Sequence, residues 1–328
     1  MNSKRNLNGL DLFKLIMAAM VVAIHTRPFD ALKSRTLYYV FDTATELAVP
    51  YFYMASAYLL FLKAEKSGLQ TVKDYIFRMV KLYILWEVIY LPLALYGYIR
   101  DGMTIGQTVL VYIREFFITG EHFYSWPLWY ILYTVYAAAF VYLLLRCGMR
   151  HWQVLAAAAA VYVFTQTALY AEIVSVYEPN SAKDMLVKVI ARGRNFAAPL
   201  YFSVGMCAAK YNFRINKKIC ALLLLPAFAV SVLLIHPPVR LPLFVLWFML
   251  SISLELPDCR VYKYMRRAST TVYFAHMLVF YLWTYIVSEY YCYGVKGFAF
   301  TLAGSLVIAV AEIVIKQKRR SRIPVGIS

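Results

Sequence analysis

Stretches of about twenty apolar residues recur along this chain near 8–26, 43–63, 78–99, 126–146, 152–172, 194–210, 219–235, 239–256, 270–290 and 296–315. Twenty residues is about the length of α-helix that crosses the hydrocarbon of a bilayer. In lipid every backbone N–H and C=O must be satisfied within the protein, which restricts such segments to helices unless they close into a barrel. The pattern predicts an all-α polytopic membrane protein of about ten transmembrane helices. Composition agrees, because 62% of the 328 residues are hydrophobic where a soluble domain has about 45–50% apolar residues. No Gly/Ser/Pro-rich linker or fixed-period repeat marks off a soluble domain. The chain therefore reads as one transmembrane domain over 1–316 and a basic tail over 317–328.

The segment MTIGQTVLVYIREFF, starting at Met103, is too short to cross and carries Arg114 and Glu115. It is expected on the outer interface as an amphipathic helix. With that placement both termini are cytoplasmic, the 63–78 loop is inside, and 101–125 and 173–192 are outside. Lys and Arg then favour the inside by two to one, as the positive-inside rule requires. The net charge of +17 is accordingly a topology signal and an attraction to anionic membrane lipid, so no nucleic-acid partner is expected. Lys4 and Arg5 precede the first apolar run as they would in a signal peptide. Lys14 and His25 interrupt that run, however, and no small-x-small cleavage site follows, so it reads as an uncleaved span. Of the five cysteines only Cys292 falls outside, leaving no outer pair to oxidise, and no metal-ligand spacing occurs.

Lys14 and His25 are the first residues to suggest chemistry. A Lys inside a membrane helix is costly, about 3 kcal/mol at mid-bilayer, and usually faces a bundle interior or wet cavity. The two residues are roughly 16 Å apart along a helix and within about 20° of the same face. Asp11, one turn before Lys14, is a ready partner for it. Glu87 and His276 are further ionisable groups in apolar segments. Glu87 is expected to be a structural partner of a basic residue, and His276 to be either a channel-lining or a packing residue. His122 and His236 have no motif around them.

Several stretches match one family in order. The Lys14-to-His25 spacing preceded by Asp11, VPYFYMASAYLLF (49–61), RMVKLY (78–83), WPLWYILY (126–133), RGRNFAAPLYFSVGMCAAK (192–210) and STTVYFAHMLVFY (269–281) together resemble the membrane-bound acyltransferase family 3. These are bacterial enzymes that O-acylate surface polysaccharides, lipopolysaccharide or other envelope acceptors. The chain departs from the family's pattern at Lys14 and Lys81, where Arg is commoner, and at Ala57, where Gly is usual. Lys keeps the charge but loses the bidentate fork that suits phosphate.

The resemblance implies a multi-pass protein of the bacterial plasma (inner) membrane. Its expected reaction moves an acyl group, acetyl from acetyl-CoA, to a hydroxyl of an envelope polysaccharide, glycolipid or cell-wall precursor. The acyl-CoA is a donor substrate, with no permanently bound cofactor. His25 would be the catalytic base or transient acyl carrier, and Glu46 would orient its ring. Lys14, Arg78, Lys81 and His276 would bind the donor; Trp129, Arg192, Arg194 and Asn195 would grip an anionic glycan or lipid-linked acceptor. A second copy or a partner subunit is a further expected partner. The competing class is a transporter, because similar membrane domains occur in resistance-type serine racemases, where they are supposed to serve amino-acid uptake. No racemase half is expected here, since only the short basic tail follows residue 316.

Overall fold

The computed structural model describes residues 7–166, 194–234, 237–288 and 291–321, and these are helical with short connections. In chain order the helices are α1 (Asn8–Thr26), α2 (Arg35–Glu46), α3 (Ala48–Ser67), α4 (Gln70–Arg100), α5 (Ile105–Ile118), α6 (Trp129–Arg146), α7 (His151–Phe164), α8 (Arg194–Lys210), α9 (Lys217–Leu233), α10 (Pro237–Ser253), α11 (Arg260–Val287) and α12 (Val295–Ser321). Among the described residues six helical stretches are long and apolar enough to cross a membrane: Asn8–Thr26, Arg35–Ser67, Gln70–Arg100, Trp126–Arg146, Arg260–Val287 and Val295–Lys318. His151–Phe164 and Pro238–Ser253 are shorter apolar helices. The expected span at 152–172 runs beyond the described residues, as does the segment 173–192.

Large aliphatic side chains cover the outside of these helices. Leu222, Leu225 and Leu233 of α9, and Val307 and Val310 of α12, are exposed. Surfaces so apolar are unfavourable in water and suit lipid, so the chain is a multi-pass membrane protein.

Two units pack separately. The first comprises residues 1–48 and 250–328, with α1 against α11 and α11 against α12. Leu10, Met17 and Val22 of α1, Val272 and Met277 of α11 and Ala309 of α12 are wholly buried. Gly9 permits the close approach at the start of α1, because a Cβ there would overlap the carbonyls of Ser251 and Leu254. The Asn8 amide also donates to Pro257 O at 3.0 Å, tying down the segment ahead of α11. α11 begins at Arg260, ten residues before the expected start of that span. The basic run Arg260 to Arg267 is thus helical and continuous with the apolar part.

The second unit comprises residues 49–249. α8 packs on α6 and α7, and α4 packs on α6. The aromatic stretch 49–61 is its core, with Tyr51, Tyr53, Met54 and Tyr58 buried. Tyr130 of α6 meets it through Ser56 Oγ at 3.4 Å.

The segment expected to be a short amphipathic helix is one, α5, too short to cross a membrane. Its exposed residues include Ile105, Val109, Leu110, Ile113 and Phe117, whereas Tyr112 and Glu115 turn inward to Glu87 and Tyr98 of α4. Its last carbonyls, which lack intrahelical donors, are met by tyrosine hydroxyls. Tyr83 donates to Phe116 O at 2.8 Å, Tyr133 to Ile118 O at 3.1 Å, and Tyr136 to Phe117 O. Gln107 and Arg114 are exposed as well, so the outer face of α5 mixes apolar and polar side chains, as suits a helix at a lipid–water interface.

Candidate functional site

The α1–α11 seam of the first unit carries two polar stations on an otherwise apolar contact. At the N-terminal end of α1, Asp11 is buried and its Oδ2 lies 3.2 Å from Arg266 Nε of α11. Lys14, one turn on, lies within the electrostatic reach of both. A buried carboxylate without a cation is strongly disfavoured. Arg266 supplies that cation from a side chain that is half exposed, and the Lys14 charge adds to it from further off.

The second station lies about three turns further along α1. The His25 ring faces the His276 ring, with centroids 5.3 Å apart and planes tilted by 36°. His276 is fully buried, and its Nδ1 lies 2.6 Å from Tyr273 O and 3.2 Å from Val272 O. Carbonyls only accept, so Nδ1 carries the proton and donates. In the neutral ring Nε2 is then an acceptor, and it finds no hydrogen-bond partner among the described residues. Above the pair, Arg27 lies over the Tyr293 ring at 5.6 Å and Gly294 N donates to Thr26 O at 2.8 Å. These contacts fold the start of α12 over the His25 end of α1.

The early start of α11 explains why His276 is level with His25. Counted from Arg260, His276 lies about 24 Å up its helix, not in the first turns of a span beginning at 270. The same register sets Arg266 opposite Asp11. Sequence reasoning missed Arg266, which reads as one more anchor in a basic run. The available signal was Asp11 itself, a carboxylate on an apolar helix that needs more than one charge partner.

The other residues expected to act are placed less tightly. Glu46 is exposed at the C-terminal end of α2. In the second unit Arg78 and Lys81 are both exposed on α4, with the Arg78 guanidinium 5.3 Å from the Tyr75 ring centre. Trp129 opens α6 and packs on Tyr133 at 5.7 Å. Arg194 and Asn195 fall in the first turn of α8, and Arg192 lies outside the described residues. Among the described residues the five cysteines are free, and no group of three or more His, Cys, Asp or Glu could hold a metal ion.

Comparison with known proteins places this chain in a family. The acyltransferase domain family matches residues 7–310, nearly the whole chain, and the chain belongs to that family. An amino-acid racemase of Enterococcus faecalis is 31% identical over 147 residues, covering 44% of this chain and 20% of the racemase. A serine/alanine racemase of Enterococcus gallinarum is 32% identical over 123 residues, covering 36% of this chain and 17% of the racemase. A second amino-acid racemase of Enterococcus faecalis is 24% identical over 226 residues, covering 66% of this chain and 30% of that protein. The chain thus spans under a third of the length of these relatives. No solved structure matches.

Proposed function

We propose that this acyltransferase-family membrane protein moves an acetyl group from acetyl-CoA to a hydroxyl of an envelope polysaccharide, glycolipid or cell-wall precursor in the bacterial plasma membrane. Family membership sets the reaction class. The observation that carries the assignment of residues is the His25–His276 pair, in which Nδ1 of His276 is committed to backbone carbonyls and Nε2 remains an acceptor beside His25.

In this reading the facing rings close, as the acceptor binds, to a hydrogen bond from a His25 N–H to Nε2 of His276, which fixes the tautomer in which the other His25 nitrogen acts as the base. That nitrogen removes the acceptor hydroxyl's proton as the oxygen attacks the thioester carbonyl. The C–S bond breaks as the new C–O bond forms, and the proton passes on to the departing thiolate or to water. Lys14, within the electrostatic reach of Asp11 and Arg266, stabilises negative charge on the donor side of the seam. Arg78 and Lys81 hold the donor's phosphates as point charges on α4. Arg192, Arg194, Asn195 and Trp129 receive the acceptor, and Glu46 steadies the approach to His25. The ten-span topology with both termini cytoplasmic is part of this proposal.

The test is acetyl-CoA-dependent release of free CoA by the purified protein with membrane extract as acceptor, comparing wild type with His25→Ala. Loss of release in a correctly folded variant supports the reading, and near-normal release overturns the base assignment. The competing reading is an amino-acid transporter. That reading requires serine or alanine uptake into sealed vesicles and no CoA release in detergent.

A further inference from the structure

Within the second unit a chain of polar side chains runs from the surface into the bundle and takes no part in the mechanism above. Glu115 of α5 is partly exposed and contacts Arg114 at 3.0 Å. Its Oε2 accepts the Tyr98 hydroxyl of α4 at 2.9 Å. The same hydroxyl lies 3.1 Å from Nδ1 of His122, which sits in the turn between α5 and α6. Nε2 of His122 lies 3.4 Å from Glu87 Oε2 of α4. Glu87 also accepts the Tyr112 hydroxyl at 3.3 Å, and the Tyr83 hydroxyl lies beside it. Tyr136 of α6 stands next to Tyr83.

His122 and Glu87 are both at least nine-tenths buried. The Tyr112 ring stacks on the imidazole with centroids 4.1 Å apart and planes 18° from parallel. Gly97 lets Phe123 close against α4, since a Cβ there would overlap the Phe123 ring, and this pins the turn that carries His122. Glu87 Oε1 and His122 Nε2 have no hydrogen-bond partner among the described residues. A carboxyl buried among aromatic rings with an unused oxygen is costly as mere structure.

We propose that Glu115, Tyr98, His122 and Glu87 form a proton relay whose ligand is a single proton, exchanged between the buried Glu87 and the surface at Glu115. Once the 3.4 Å separation of His122 Nε2 from Glu87 Oε2 closes to a hydrogen bond, the connectivity allows two arrangements with the same atoms. In one, the proton is on Glu87 and faces His122 Nε2, Nδ1–H donates to the Tyr98 oxygen, and Tyr98 donates to the Glu115 carboxylate. In the other, protonated Glu115 donates to the Tyr98 oxygen, Tyr98 donates to Nδ1, and Nε2–H donates to the Glu87 carboxylate. Passing from the first to the second breaks one bond to hydrogen and forms another at Tyr98 and at His122. The net change is one proton moved from Glu87 to Glu115, with the imidazole neutral in both. Glu87 Oε1 is then the atom at which a buried group would give up or collect that proton.

Infrared difference spectroscopy of the full-length chain in lipid nanodiscs tests this without reference to turnover. The protonated-carboxyl band is followed through a pH step and through transfer to D2O. Wild type is expected to show a band that Glu87→Gln removes. Tyr98→Phe, which keeps the ring that packs on Phe123, should retain the band but slow its deuterium exchange by about tenfold or more, because the hydroxyl bridging Glu115 and His122 is gone. Glu115→Gln, at the surface end, should slow it as well. A band absent from wild type, a band that survives Glu87→Gln, or exchange in Tyr98→Phe as fast as in wild type would each overturn the relay.

Discussion

Replacing His276 with Phe separates the two roles that sequence and structure suggest for it. The ring is fully buried, so Phe keeps most of the volume and the contact with Tyr273 while removing both nitrogens. The lost donor at Nδ1 serves Tyr273 O and Val272 O, carbonyls inside α11 whose first acceptor duty is to their own helix. The stability cost is therefore about one hydrogen bond, ~1 kcal/mol, too little to unfold a domain of ordinary stability. The lost acceptor at Nε2 is the group that would hold the tautomer of His25. Removing an orienting partner of that kind costs about 10–100-fold, below the 10²–10⁴-fold typical of losing the base itself. Initial rates of acetyl transfer in membranes across a range of acetyl-CoA concentrations resolve the matter. A fall in kcat with KM for acetyl-CoA unchanged is expected from positioning. A raised KM at normal kcat would refute it and return His276 to the donor-binding role its sequence position suggested.

His25→Ala should abolish transfer in protein that still purifies as a monodisperse, helical species, measured by radiolabel incorporation into acceptor. Lys14→Ala should inactivate too, whereas Lys14→Arg should keep activity within a few-fold because the charge beside Asp11 is retained; a dead Lys14→Arg would show that the ammonium geometry itself matters. Arg78→Ala and Lys81→Ala should raise KM for acetyl-CoA more than they lower kcat, a reading sunk if kcat alone falls. Burial holds the His122 imidazole down to about 4 against an ordinary value near 6.5. The unfolded chain therefore binds a proton between those values that the native chain does not, and stability from this group falls as pH drops from about 6.5 to about 4, by roughly 3 kcal/mol in all. Thermal unfolding at pH 7.5 and 4.5 should accordingly show a smaller acid-induced loss for His122→Gln than for wild type, and equal losses would contradict the assignment.

The helices were legible because lipid permits few alternatives: a run of apolar residues long enough to cross must satisfy its own backbone. What the run cannot reveal is where a polar helix joins it. Arg260 to Arg267 looks like a cytoplasmic loop by charge, yet α11 begins there, because Lys and Arg stems lie along a helix surface as readily as in a loop. That single shift of ten residues brings His276 level with His25 and sets Arg266 against Asp11. Lys14 and His25 were found because both belong to one helix and helical periodicity relates them directly.

The Glu87–His122 pair had no such relation. Glu87 and His122 are 35 positions apart on different elements; Tyr98 shares α4 with Glu87, and Tyr112 and Glu115 come from α5. Each reads alone as an interfacial aromatic or a solvated charge. They meet because α5 folds back on α4 with Tyr112 and Glu115 turned inward, and because Tyr83, Tyr133 and Tyr136 cap the carbonyls at its end. The amphipathic pattern of 105–118 gave the helix but not which of its side chains turn to α4, since at a lipid–water interface the outer face carries apolar and polar residues alike. Whether Glu115 lies in solvent or at the mouth of a proton path is therefore decided by the packing of α5 on α4.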